Sequence, residues 1–481
     1  MSKKARFAVV SDLHYFSPSL TDGGRAYELR SGSDQKCLLE SGAIIDKAFL
    51  MLAGDETIDS VLVCGDVTND GEIVCHEEMV EKLRELNKYK KVFVITSTHD
   101  WCTDGNARKY FGDKPEKVEE TANAEDLHRF YKEFGFDNAI STFKSEVGMY
   151  SYVAQLCDGF RVLGLNDDSN GDGKSGFSPE HMKWILQQIQ DAKAAGDRLV
   201  AMQHHVVLQH YTQLLTKSGI CCGDREWVAE NFASNGVEAL FVGHSHFQNI
   251  TEYTAENSNK MVQVNVGSLS GHPAPIVKVN IDDDYISINT EYVKDFMFDG
   301  EKRNIEYIHS HSKGVVENIL KAAASGDVNE FMDRCGAMGI KSDVLPKLYF
   351  LIKRLSRYIS KVTVGDLVKH VNRLTFGKGV NKTAADEISD KVVMDIAYNI
   401  FLNLFDGGFN QYKKGSPTYT VVSDFVSLPS KIVSKISFVP DNVKSLLDEI
   451  SQLVCLLMDD VTDNNYYRAR CSKSDLIETA D

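Results

Sequence analysis

Five short apolar runs in the first 250 or so residues each end in an acidic or histidine-bearing motif. This recurrence constrains the fold more than any other feature. Phe7 to Ser11 leads into Asp12-Leu13-His14, and Val61 to Cys64 leads into Gly65-Asp66. Lys91 to Ile95 (KVFVI) precedes Ser97-Thr98-His99-Asp100. RLVAM at 198–202 precedes His204-His205, and EALFVG at 238–243 precedes His244-Ser245-His246. Runs this short and this apolar read as buried parallel strands. Stretches with helical spacing lie between them, near Lys36 to Leu52, Glu77 to Leu86, Pro179 to Ala194 and Arg225 to Ala233. Strands alternating with helices predict an α/β sheet. Open sheets of this kind bind ligands at the carboxyl ends of their strands. Motifs scattered along the chain are therefore expected to converge on one point.

The remainder has a different texture. Residues 249–292 are β-rich, with VQVNVG, IVKVN and YISINTEYV, whereas residues 102–150 must include helices such as AEDLHRFYKEFG. After about residue 299 apolar residues recur at three and four, as in VVENILKAAA and VKSLLDEISQLVCLLM, which predicts helices throughout. A chain of 481 residues exceeds one ordinary domain. We expect an α/β domain over 1–298 and an all-helical domain over 299–481. The helical part carries no dense cluster of histidines, cysteines or carboxylates, so a structural or capping role is expected. The last ten or so residues are polar and are expected to fray.

Composition narrows the partners. The formal net charge is -16. Such a surface repels nucleic acid and anionic lipid unless a local patch reverses the field. No stretch approaches the ~20 apolar residues of a spanning helix, so no membrane is expected. The N-terminal apolar run is too short for a signal peptide. The ten cysteines include no CxxC. Reduced thiols and a cytoplasmic location follow as expectations.

Hard carboxylate oxygens combined with neutral imidazoles suit Zn, Fe, Mn and similar divalent ions. Asp-x-His and His-x-His each place two such ligands on one edge of a turning backbone. Taken in order, the motifs resemble the calcineurin-like metallophosphoesterase pattern of D-x-H, G-D, G-N-H-D or E, H, and G-H-x-H. The resemblance covers roughly residues 5–295. It implies a four-layer αββα sandwich with two divalent metal ions at the sheet ends. By position it implies that Asp12, His14, Asp66 and His246 hold the first ion. Asp66 would bridge to a second ion, held also by His204 and His244. His99 would lie just outside the ions, oriented by Asp100. The implied activity is hydrolysis of a phosphomonoester or phosphodiester of a small molecule by a metal-bridging hydroxide, with His99 protonating the leaving group. This is an ester-bond hydrolase chemistry.

Two positions depart from the pattern. Ser97-Thr98 stands where the family has Gly-Asn. Thr98 is a shorter and poorer neutral ligand than an amide oxygen, so the second metal site is expected to be weak. Val206 replaces a proline that many members carry after the histidine pair, which leaves both His204 and His205 as candidate ligands, His204 being favoured. Several further residues are weaker candidates. Arg25 and Arg30, in the polar insertion at 15–35, could bind substrate phosphate, and His272 could line the pocket. Asn69 stands where related purple acid phosphatases have an iron-binding tyrosine, so no purple colour is expected. Asp167, Asp168, Asn170 and Asp172 read as a solvated turn, and Cys102 as a buried thiol. Two competing functions share the fold: a nuclease, disfavoured by the acidic charge, and a metal-poor protein-binding scaffold. The oligomeric state is not legible in the sequence.

Overall fold

A computed structural model describes residues 3–101, 105–168, 175–210, 221–337, 345–377, 379–408, 412–434, 441–460 and 462–471. Cys102, Asn170, Asp172 and the last ten residues lie outside these. Two sheets face each other. The first has six strands in the order Tyr466–Arg470, Tyr285–Tyr292, Pro275–Ile281, Ala5–Val10, Ser60–Cys64 and Lys91–Ile95. The second has seven, in the order Asn249–Thr254, Lys260–Asn265, Val237–Val242, Arg198–Met202, Phe160–Gly164, Tyr150–Cys157 and Ala139–Lys144. Ala5–Val10, Ser60–Cys64 and Lys91–Ile95 run parallel, as do Phe160–Gly164, Arg198–Met202, Val237–Val242 and Lys260–Asn265. The carboxyl ends of all five motif-bearing strands therefore share one edge of the sandwich.

The uninterrupted apolar runs are explained by burial on both faces. In Ser60–Cys64, Leu62 and Cys64 face the other sheet, and Val61 and Val63 face helices. Helices Ser41–Gly54 and Ile73–Asn87 cover the first sheet through Ile44, Ala48, Leu52, Met79 and Leu83. Helices Pro179–Ala194 and Arg225–Ser234 cover the second through Ile185, Ile189, Val228 and Phe232. The result is the four-layer αββα order. Helix starts obey local chemistry. Ser178 caps the helix that opens with Pro179, its side chain accepting from the His181 N–H.

In the C-terminal part the described residues between Ile305 and Met458 form a series of helices, from Ile305–Ser325 to Asp441–Met458. Asn304 caps its first helix, Ile305–Ser325, which stops at Gly326 with φ 107°. No helix among the described residues is long and apolar enough to cross a membrane. Two details depart from an all-helical reading of 299–481. A hairpin of Asp295–Phe298 with Glu301–Asn304 straddles the expected boundary. The chain also returns at Tyr466–Arg470 to pair antiparallel with Tyr285–Tyr292. That segment, YYRAR, is an edge strand with alternating exposure and lacks the apolar run that marks the central strands. The helices are thus tied to the sandwich at both ends.

The inter-sheet core includes Phe7 and Phe241, whose rings meet edge to face at 5.5 Å with neither residue exposed. Phe241→Ala should cost about 3–5 kcal/mol, as aromatic truncations in packed cores do. Urea unfolding of the two proteins measures it. A loss below ~1 kcal/mol would show that the sheets are not tightly packed there.

Candidate active site

Each motif turns sharply as it leaves its strand. Asp12, His14, Asp66, His244 and His246 all have positive φ, between 43° and 65°. Residues with a Cβ rarely adopt this conformation, and such strain concentrates at functional sites. Two glycines permit the close approach. A Cβ on Gly65 would lie 2.7 Å from His204 Nδ1, and one on Gly243 would lie 2.3 Å from Asp12 Oδ2.

The turns bring six of the expected ligands together. His246 Nε2 lies 3.3 Å from Asp12 Oδ1 and 3.0 Å from His14 Nε2. His14 Nε2 lies 3.7 Å from Asp12 Oδ1 and 3.8 Å from Asp66 Oδ2. His204 Nε2 lies 3.0 Å from Asp66 Oδ2, and the His204 and His244 ring centres are 5.1 Å apart. Two trios result, Asp12/His14/His246 and Asp66/His204/His244, each with ligand atoms within 4.8 Å of one another.

The donor set fits divalent ions. His204 Nδ1 sits 2.8 Å from the Cys64 carbonyl oxygen, which can only accept. Nδ1 therefore carries the proton, and Nε2 offers its lone pair to the centre. His204 Nε2 and His244 Nδ1 are buried without a hydrogen-bond partner. Orphaned buried imidazole nitrogens are costly unless something binds them. Burial and then the Lys36 ammonium push His14 down to about 3, so its ring is neutral, as a ligand must be. Burial opposes ionisation of Asp12, but the surrounding imidazoles, His246 foremost, hold its carboxyl well below the usual range.

His205 turns elsewhere. Asp167 Oδ2 accepts from its backbone N–H at 2.9 Å and lies 3.1 Å from its Nδ1. The reading of Asp167 and Asp168 as a solvated turn is corrected by this arrangement. Asp167 is 1% exposed, and it forms a compact group with Asp168 and His205. These carboxylates follow a strand, Phe160–Gly164, as the motifs do.

His99 lies beside the ligands, its ring centre 4.9 Å from that of His14. Its backbone N–H donates to Asp66 Oδ1 at 3.0 Å. Its orienting partner is not Asp100. His99 Nδ1 lies 2.7 Å from the Asn69 carbonyl oxygen and 2.9 Å from Asp70 Oδ1. Asp100 is buried, and its carboxylate accepts from Ser97 N at 2.8 Å, Thr68 N at 2.9 Å and Thr68 Oγ1 at 3.1 Å. It clamps the short Thr98–Asp100 turn, and these bonds direct it away from the imidazole. Asn69-Asp70 was the missed signal, in the loop directly after Asp66.

The substrate-binding candidates separate. Arg25 and Arg30 line a cavity of about 1140 Å³ that also exposes His99 and Asp70. Arg25 is ion-paired with Glu330 at 2.8 Å, and Arg30 with Asp34 at 2.7 Å. His272 is not among the cavity's lining residues. It is 4% exposed, and its Nε2 lies 3.5 Å from Asp406 Oδ2. Packing against the helical region encloses it. Thr98 is exposed and is likewise not among the lining residues, and its Oγ1 lies 3.3 Å from Asp168 Oδ1. Sequence inspection also missed Arg108, Lys114, Phe401 and Phe405 on the cavity wall.

The family model for calcineurin-like phosphoesterases matches residues 5–248. No curated protein matches the chain. Among solved structures, a dimetal phosphatase from Danio rerio is similar at 13% identity and TM-score 0.41, over 60% of this chain and 96% of that one. A purple acid phosphatase from yellow lupin, Lupinus luteus, is similar at 14% identity and TM-score 0.38, over 63% and 53%. A putative 5'-nucleotidase from Staphylococcus aureus is similar at 12% identity and TM-score 0.37, over 66% and 59%.

Glu72 packs behind Asp70, fully buried, with Oε2 accepting from Asp70 N at 3.1 Å and Oε1 unpartnered. Burial, then the Asp70 carboxylate, raise it to about 7 from an ordinary 4.5. Between those values the folded protein holds a proton that the unfolded chain has lost. Stability should therefore fall as pH rises through that window, by on the order of 3 kcal/mol for the full shift. Glu72→Gln should flatten this part of the profile. Denaturant unfolding at several pH values decides it, and parallel profiles for the two proteins would sink the assignment.

Proposed function

Since the chain belongs to the calcineurin-like phosphoesterase family, we propose that it is a metal-dependent hydrolase of small-molecule phosphate mono- or diesters. The observation that carries this reading is the convergence of buried carboxylates and unpartnered imidazoles on strained turns, facing one cavity through His99. Asp12, His14, Asp66 and His246 would hold one divalent ion. Asp66, His204 and His244 would hold a second, with Thr98 beside it. Bound there, the ions supply Lewis-acid charge for phosphoryl oxygens and acidify a water nucleophile.

The chain's own residues do the rest. Burial depresses the His99 imidazolium, but the Asp66 and Asp70 carboxylates overcome it and raise it to about 9. The ring is thus charged at neutral pH. Nδ1 is fixed by Asp70 and the Asn69 carbonyl, which leaves Nε2 to donate a proton to the leaving oxygen. Asp100 acts only on the turn that carries His99. The helical region supplies Val315, Phe401, Leu402 and Phe405 to the cavity wall, which supports a capping role. An organic leaving group with apolar surface suits such a wall.

Hydrolysis of bis(p-nitrophenyl) phosphate and p-nitrophenyl phosphate should be abolished by chelator and restored by Mn²⁺. Activity that survives chelation would overturn the reading. His99→Asn should leave metal content unchanged and lower kcat on alkyl phosphates by ~10²–10⁴-fold. The loss should shrink on nitrophenyl esters, whose leaving group needs no proton. An equal loss on both would remove His99 from that role. Asp70→Asn should move the alkaline limb of the kcat profile to lower pH, because one of the two carboxylates that raise His99 is gone. An unmoved limb would show that Asp70 does not tune the imidazole.

A further inference from the structure

The expectation of a weak second site rests on Thr98 standing where an amide oxygen would be. Position 98 is not the end of the donor set. Asp168 reaches it from the neighbouring sheet, at the end of Phe160–Gly164. Its Oδ1 lies 3.3 Å from Thr98 Oγ1, and its Oδ2 lies 3.4 Å from Ser97 Oγ. The side chain is nine-tenths buried, at 10% exposure. Two long hydroxyl contacts leave most of its acceptor capacity unused. Its neighbours are otherwise engaged. Asp167 is bound by the His205 backbone and ring, and by Gln203 Nε2 at 3.3 Å. His205 Nδ1 is 3.7 Å from Asp168 Oδ1, too far for a good hydrogen bond. The Asp167/Asp168/His205 trio is thus a closed pair with one under-used carboxylate beside it. This group adjoins the orphaned nitrogens of His204 and His244, for the His205 ring centre lies 5.5 Å from that of His204 and 4.3 Å from that of His244.

We propose that Asp168 is a ligand of the second metal ion, supplying across the cleft between the sheets the oxygen that Thr98 cannot supply. This inference rests on the phosphoesterase reading of the site. A turn of the Asp168 side chain exchanges its two hydroxyl contacts for the ion. The Asp167–His205 pair holds the loop in place while it does so. The hydroxyl of Thr98 leaves room for a carboxylate from the neighbouring strand, where a longer amide would fill the space. The replacement adds a negative charge to the ligand set, so the second site is bound tightly.

The test uses the full chain, stripped with chelator and titrated with Mn²⁺ alone. Equilibrium dialysis with elemental analysis counts bound ions, and electron paramagnetic resonance detects an exchange-coupled pair. Wild type should bind two Mn²⁺ per chain. Asp168→Ala should keep the first and bind the second ~10–100-fold more weakly, the range for losing a ligand or its support. Asp168→Asn, which keeps an oxygen, should fall between them. That graded order separates a lost ligand from a misfolded chain. Thr98→Asn added to Asp168→Ala should restore the second ion. A second Mn²⁺ held by Asp168→Ala with wild-type affinity overturns the proposal, and so does a wild type that binds only one. A chain that binds Mn²⁺ at neither site overturns the phosphoesterase reading as well, so the two failures are distinguishable.

Discussion

Two buried carboxylates hold the edges of the sandwich together. Asp12 leaves the first sheet, and its oxygens each accept from the His244 backbone N–H at 3.1 Å, at the end of a strand in the second. Asp66 accepts from the His99 backbone N–H at 3.0 Å and lies 3.0 Å from His204 Nε2. A third link runs the same way, from His204 Nδ1 to the Cys64 carbonyl. The bonds that Asp12 and Asp66 accept from backbone N–H groups are charge-assisted, and such bonds are roughly twice as strong as neutral ones. They offset the backbone strain at Asp12, His14, Asp66, His244 and His246. The groups that would bind ions are therefore also the groups that set the spacing of the sheets. Metal binding and local stability are coupled for that reason.

The legible part of the site was the part attached to strands. Asp12, Asp66, His204 and His244 each follow an apolar run buried on both faces, and such runs are visible as unbroken hydrophobic letters. The strand end then fixes the side chain in space, so order along the chain translates into proximity. Asp70 was not legible as the partner of His99. The two are separated by 29 positions and meet only because the loop after Ser60–Cys64 curls over the turn after Lys91–Ile95. The adjacent Asp100 was the natural guess from sequence, but a short 3-10 turn with Ser97 as its cap consumes that carboxylate. Asp167 and Asp168 sit in a polar stretch that looks like a solvated turn, and polarity along the chain does not report burial. The Tyr466–Arg470 strand escaped because edge strands lack the double-sided apolar pattern.

The helical region is fixed to the site rather than hung from it. Phe405 packs on Phe247, one residue beyond His246, with ring centres 5.7 Å apart. The Leu404 carbonyl accepts from Gln248 N at 3.2 Å. His311 Nε2 reaches the carbonyls of Asp34 and Lys36 at 3.0 and 3.1 Å. Glu330 holds Arg25. The helices thus grip both the GHSH turn and the insertion after the first motif. Changes in helix packing will be felt at the cavity wall, where Phe401 and Phe405 lie.

Charge at the mouth of the cavity then decides what draws in an anion. Arg25, Arg30, Arg108 and Lys114 line it, but so do Asp34, Asp70, Asp113 and Asp333. The side chains balance by formal count, in a protein whose net charge is -16. Arg25 and Arg30 are moreover spent on Glu330 and Asp34. A protein field of this kind does not by itself concentrate a phosphate ester. On the proposed reading the positive potential comes from the bound ions, which are the largest local charges in such a site, and from the His99 imidazolium. Substrate affinity and metal occupancy are then one property. On that reading the carboxylates that would hold the ions also determine whether the ester is attracted at all.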